Sequence, residues 1–194
     1  MHSVQCQCGA LRGRLEGSGT CNRLICYCTD CRAFAHYLDQ ASAVLDEQGG
    51  TEIVQVAQPR LVFSQGEALL AAVRLSDKGM LRWYATCCGT PIGNTMATPR
   101  MPFIGLIHTC LDRRRMDEDF GAQVALLNTD TALGEPKPRQ RGLLGVVARF
   151  MWIVIANRVG GRYRRSPLFD TSGLPRATPR VLGAGELASL KKRA

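Results

Sequence analysis

Acidic residues almost disappear from the last third of this 194-residue chain. Residues 136–194 carry two Asp/Glu against thirteen Lys/Arg, whereas residues 1–135 carry fourteen against twelve. The formal net charge of +9 is thus a nearly neutral segment at −2 joined to a basic one at +11. No internal repeat is present, and no long amphipathic helix is visible before residue 112. The N-terminus, Met1-His2-Ser3-Val4-Gln5-Cys6, has neither the basic nor the apolar stretch of a leader. The expectation is a cytoplasmic chain whose thiols stay reduced. The basic tail lacks interleaved aromatics and any recognition motif, which speaks against nucleic acid as a partner. Disorder is excluded for the chain as a whole, because 45% of its residues are hydrophobic.

What is abundant is cysteine. There are nine, Cys6, Cys8, Cys21, Cys26, Cys28, Cys31, Cys87, Cys88 and Cys110. An odd number cannot pair completely. Clustered thiols at two- and three-residue spacing point to metal binding or thiol chemistry rather than to disulfides.

The chain up to about residue 112 reads as short strands broken by turns. Leu11–Glu16, Glu52–Ala57, Arg60–Ser64, Leu69–Leu75, Leu81–Ala85 and Phe103–His108 are the predicted strands. Gly49-Gly50, Ser64-Gln65-Gly66 and Asp77-Lys78-Gly79 supply turns between them. The expectation is a mainly β, antiparallel domain over residues 1–112. Residues 113–194 then form a linker, an apolar helix and a basic C-terminal extension. The apolar run Gly142–Val159 is long enough to favour helix over strand, and a second short helix is expected over Glu186–Arg193. Arg149, in the middle of the run, argues against a membrane span. With its basic flanks the run could instead lie on an anionic membrane surface. The competing expectation is a helix packed on the β domain or in a homodimer interface.

Three motifs carry the cysteines: Cys6-Gln7-Cys8-Gly9, Cys26-Tyr27-Cys28-Thr29-Asp30-Cys31 and Cys87-Cys88-Gly89-Thr90-Pro91. Zinc takes thiolates in a tetrahedron, and Gly9 and Gly89 suit tight turns that let neighbouring thiols reach one ion. Cys26, Cys28 and Cys31 supply three thiolates from one loop and leave a fourth position open, as catalytic zinc sites do. A closed shell would combine Cys6 and Cys8 with the Cys87-Cys88 region, joining the first strands to residues about 80 positions away. Two zinc ions are therefore expected. Cys87, Cys110 and Cys21 are all candidates for the fourth ligand of the closed shell. His36, His108 and Tyr27 are weaker candidates for a role at the open site, with packing as the competing reading.

The order and spacing of these motifs, over about residues 4–110, resemble the glutathione-dependent formaldehyde-activating enzyme and centromere protein V family. The resemblance implies a β-tent (Mss4-like) zinc fold, a structural zinc on Cys6, Cys8 and the third motif, and a second zinc on Cys26, Cys28 and Cys31. It further implies a carbon–sulfur lyase-type reaction on a glutathione or other thiol adduct. The family's third motif is C-x-x-C-G, and here Ala85 stands where its first cysteine belongs, with Cys87 beside Cys88 instead. Three thiolates weaken the Lewis acidity of their ion, and Arg32, directly after Cys31, is a candidate for the offsetting cation or for the group that binds a glutathione carboxylate, with a plain surface arginine as the competing and favoured reading. The rival expectations are a non-catalytic zinc-stabilised binding module and a thiol-based metal or redox sensor.

Overall fold

Alternating or β-rich stretches write most of the short strands into the chain before residue 112, and the computed structural model, which describes residues 1–194, forms nine strands there. In chain order they are β1 (His2–Gln5), β2 (Arg12–Leu15), β3 (Asn22–Cys26), β4 (Thr51–Ala57), β5 (Leu61–Gln65), β6 (Leu70–Arg74), β7 (Leu81–Ala85), β8 (Pro91–Thr95) and β9 (Phe103–Ile107). Two short strands follow, β10 (Ala125–Leu127) and β11 (Arg180–Val181). The helices are α1 (Thr29–Tyr37), α2 (Ala41–Val44), α3 (Met116–Phe120), α4 (Leu143–Val159) and α5 (Ala184–Arg193).

The fold is mainly β. Strands β1-β2-β5 make a small sheet, and β10-β3-β4-β9-β8-β7-β6-β11 make a large one. Between β3 and β6 in that order every pairing is antiparallel, as the sequence predicts. The two edge strands depart from that expectation. β10 runs parallel to β3 and β11 runs parallel to β6, so the sheet is mixed. Both edge strands come from after residue 112 and cover backbone groups that would otherwise be unpaired at the sheet's rims.

The core lies between the two sheets. Val4, Leu11 and Leu15 from the small sheet and its turn meet Val54, Trp83, Ile92 and Leu106 from the large one. Each such side chain contributes about 1.5–3 kcal/mol by leaving water. Trp83 is wholly buried and satisfies its indole N–H on Thr95 Oγ1 at 2.9 Å. Residues after 112 belong to this same body. Met116, Phe120, Leu168 and Phe169 are buried in the main core, and Leu190 of α5 packs with Phe34 of α1. No helix is long and apolar enough to cross a membrane.

Candidate metal centres

The first centre is built where two turns meet. Cys6 directly follows β1, and its turn closes with Gly9 N–H donating to Cys6 O at 2.9 Å. Gly9 has a left-handed φ of +75°, which favours glycine. The β7–β8 turn also places a left-handed glycine beside its cysteines, but closes over one residue more. Gly89, at φ +68°, donates its N–H to Ala85 O at 2.9 Å. The Leu11 N–H donates to Cys6 Sγ at 3.2 Å. Between the turns, Gln7 N–H donates to Thr90 Oγ1 at 3.0 Å.

These turns bring together Cys6, Cys8, Cys87 and Cys88, whose sulfurs all lie within 4.8 Å of one another. The Sγ separations are 3.5 Å for Cys6–Cys8, 3.7 Å for Cys6–Cys87, 3.4 Å for Cys8–Cys87 and 3.8 Å for Cys87–Cys88. Four thiolates at about 2.3 Å from a common tetrahedral centre stand about 3.8 Å apart. The cluster therefore fits one ion. The sequence leaves Cys87, Cys110 and Cys21 open as the fourth member, and the structure places Cys87 there. Cys110 is buried elsewhere, with its thiol on Ile92 O, and Cys21 sits near Phe120 O. Burial raises the Cys87 thiol, to about 12, with hydrogen bonds to Cys8 and Cys6 adding to the effect. Burial also acts to raise Cys88, but the Thr90 hydroxyl and the Cys8 and Thr90 amides outweigh it and bring that thiol down to about 6.

The second centre is local. Cys26 closes β3, Cys28 stands in extended conformation as the N-cap of α1, and Cys31 lies in the first turn of that helix. Their three sulfurs also lie within 4.8 Å of one another. Hydrogen bonds from the Cys28 and Cys31 thiols hold the Cys26 thiol far below its usual range, against the effect of burial. The same bonds hold Cys28 and Cys31 above theirs. The N-terminus of α1 adds a favourable potential for negative charge. No histidine or carboxylate joins the group.

A segment that carries no cysteine motif closes around this centre. Asn128 follows β10 in a left-handed turn, φ 56°, and its Nδ2 donates to Cys26 Sγ at 3.1 Å. Thr131 Oγ1 donates to Tyr27 O at 2.9 Å. Arg32 is buried, and its Nη1 donates to Tyr27 O at 2.6 Å and to Thr131 O at 2.8 Å. Burial rules out the surface-arginine reading, and Nη1, engaged with two backbone carbonyls, acts as support for the loop, while Nε is buried without a partner. Gly49 lets Arg32 pass. A Cβ there would lie 2.6 Å from Arg32 Cδ. Tyr27 is buried as packing. His36 is half-buried on α1, and His108 is buried beyond β9; neither joins a metal-ligating group. Asn128-Thr129-Asp130 is a turn-prone triplet, and that is the one local signal for Asn128. Nothing in the sequence ties it to a cysteine 102 positions earlier.

A protein-family model described as "Family of unknown function (DUF6151)" matches residues 1–132. The chain belongs to that family. The matched region contains both cysteine clusters and the Asn128–Thr131 segment, and it ends before α4. No curated protein matches the chain. Among solved structures, the crystal structure of a Rhodobacter sphaeroides protein is similar at 16% identity, with a TM-score of 0.43, over 64% of this chain and 98% of that one.

Proposed function

We propose that this is a two-zinc protein with a β-tent (Mss4-like) core of the kind its motifs resemble. On this reading the Cys26/Cys28/Cys31 zinc accepts a small thiol or thiol adduct, such as one of glutathione, in a carbon–sulfur lyase-type reaction. The observation that carries the proposal is the inequality of the two clusters, with four thiols in one and three in the other. A four-thiolate shell is complete for zinc, and a three-thiolate shell leaves one position for an incoming group. Zinc held there supplies stabilisation of a bound thiolate and polarisation of a carbonyl oxygen.

The chain's own residues prepare the site. Asn128 spreads the negative charge of Cys26 through its hydrogen bond. The buried Arg32 charge and the α1 N-terminus offset the charge of three thiolates. Cys28 is the least covered of the three and marks the side from which a ligand arrives.

A second reading, in which this zinc is also purely structural, draws on the burial of Cys26 and Cys31 beside the Asn128–Thr131 segment. Metal content of protein purified under reducing conditions is the first test, for the wild type and Cys28→Ser. Two zinc ions falling to one are expected, and one ion in both proteins would overturn the open site. Glutathione added to the cobalt-substituted protein then separates the two readings. A change in the thiolate-to-cobalt absorption that is absent in Cys28→Ser supports the enzyme. An unchanged spectrum leaves a structural ion.

A further inference from the structure

α4 buries one side and leaves the other uncovered. Val146, Ile153, Val154 and Asn157 are buried, Val146 and Ile153 against side chains of the large sheet. Leu144, Val147, Met151, Trp152, Ile155 and Val159 face outward, with Leu144 at 86%, Trp152 at 62% and Val159 at 85% exposure. At 3.6 residues per turn these six fall on one stripe, running the helix's length of about 25 Å. Of the twelve large hydrophobic side chains exposed on the whole chain, seven belong to this helix. An apolar patch of this kind marks an interaction surface.

The charges around the stripe select its partner. Arg141 precedes the helix, Arg149 lies at the edge of the stripe, and Arg158 sits in its last turn. Arg162, Arg164 and Arg165 follow in an exposed turn. None of these six forms an ion pair with a carboxylate. A second copy packed on the stripe about a two-fold axis would bring arginine flanks against arginine flanks, which repels. A nucleic-acid backbone would neutralise the arginines but leave Leu144, Met151 and Trp152 in water. An anionic lipid surface satisfies both parts, because acyl chains take the stripe and headgroups take the guanidinium groups.

We infer that the outer face of α4 is a peripheral docking surface for anionic phospholipid membranes, with the helix lying in the interface plane. Trp152 and Ile155 insert at the level of the acyl boundary, and the flanking arginines contact phosphate groups. The inference stands apart from the metal chemistry, since α4 contributes no cysteine to either cluster.

Fluorescence provides the test on the full metal-loaded chain. The protein has two tryptophans, and Trp83 is fully buried, so a change in emission reports Trp152. The probes are vesicles of phosphatidylcholine mixed with phosphatidylserine, and vesicles of phosphatidylcholine alone. A blue shift and co-sedimentation are expected with the mixed vesicles only, weakening as salt rises. Trp152→Phe should keep sedimentation and lose the shift. Trp152→Glu should weaken partitioning about tenfold or more. Converting Arg162, Arg164 and Arg165 to glutamine should weaken it about fivefold per charge removed. Absence of sedimentation with mixed vesicles at low salt overturns the inference. So does sedimentation that both the Glu and Gln variants leave unchanged, or a solution dimer that Trp152→Glu dissociates.

Discussion

Gln7 and Thr90 lie 83 residues apart, and the Gln7 N–H donates to Thr90 Oγ1 at 3.0 Å. Thr90 is fully buried, and its hydroxyl also stands 3.0 Å from Cys88 Sγ. One side chain thus joins the two cysteine turns and touches one of the four sulfurs. Thr90→Val keeps the shape and removes both bonds, leaving the Gln7 N–H without its acceptor. The expected cost is about 1–3 kcal/mol, read as a lower urea midpoint, with faster zinc loss to a chelator.

Cys87 and Cys110 give opposite outcomes. Cys87→Ser removes a sulfur from the four-thiol cluster, so metal analysis should find one ion fewer per chain. Cys110→Ser should retain every ion, because that thiol meets only Ile92 O. Loss of an ion from Cys110→Ser together with full retention in Cys87→Ser would exchange the two thiols in the ligand set.

Arg32→Lys tests the brace on the three-thiol loop. An ammonium on a flexible stem does not reproduce the guanidinium's reach to Tyr27 O and Thr131 O. A loss of about 2–3 kcal/mol is expected, which lowers Tm by several degrees in a chain of this size. If Arg32 bound ligand instead, Arg32→Lys would leave Tm in place and weaken only thiol binding.

Gly50 is a steric test of the same region. A Cβ there would lie 2.5 Å from both Asp46 Oδ2 and Ile25 Cγ2 and 2.7 Å from Tyr27 Cε1. Gly50→Ala should cost about 1–3 kcal/mol through overpacking, measured by chemical denaturation.

His108 supplies a pH dependence. Burial, with help from the Arg113 charge, lowers its pKa from 6.5, so the folded state holds the neutral ring. The associated stability is complete above pH 6.5 and is lost as pH falls from there through the folded pKa. Denaturation midpoints of the wild type and His108→Gln, followed downward from neutral pH, should converge below pH 6.5. Parallel curves would show that His108 does not titrate differently on folding.

Strands whose own residues alternate are legible from the residue pattern alone. Leu81–Ala85 has the bounds expected, and Thr51–Ala57 begins one residue earlier than expected. β8 is not legible in this way, because Pro91, Gly93 and Asn94 read locally as turn formers. Its strand exists because β7 and β9 flank it, and Gly93 is required there, since a Cβ would lie 2.8 Å from Gly105 O. The edge strands β10 and β11, three and two residues long, carry too little pattern to be read. The cysteine clusters are legible because spacing within a turn fixes which sulfurs approach each other. Asn128 and Thr90 act through tertiary contacts, and the sequence does not display those.

The two clusters also differ in when they become possible during synthesis. The three thiols of the smaller cluster lie within six consecutive residues, Cys26 to Cys31, so bringing their sulfurs together closes only a short loop. The four-thiol site requires Cys6 to wait for Cys87, 81 residues later, and for the chain between them to close its loop. On the two-zinc reading, the first set of ligands is complete once Cys31 has been made, and the second only once Cys87 and Cys88 have.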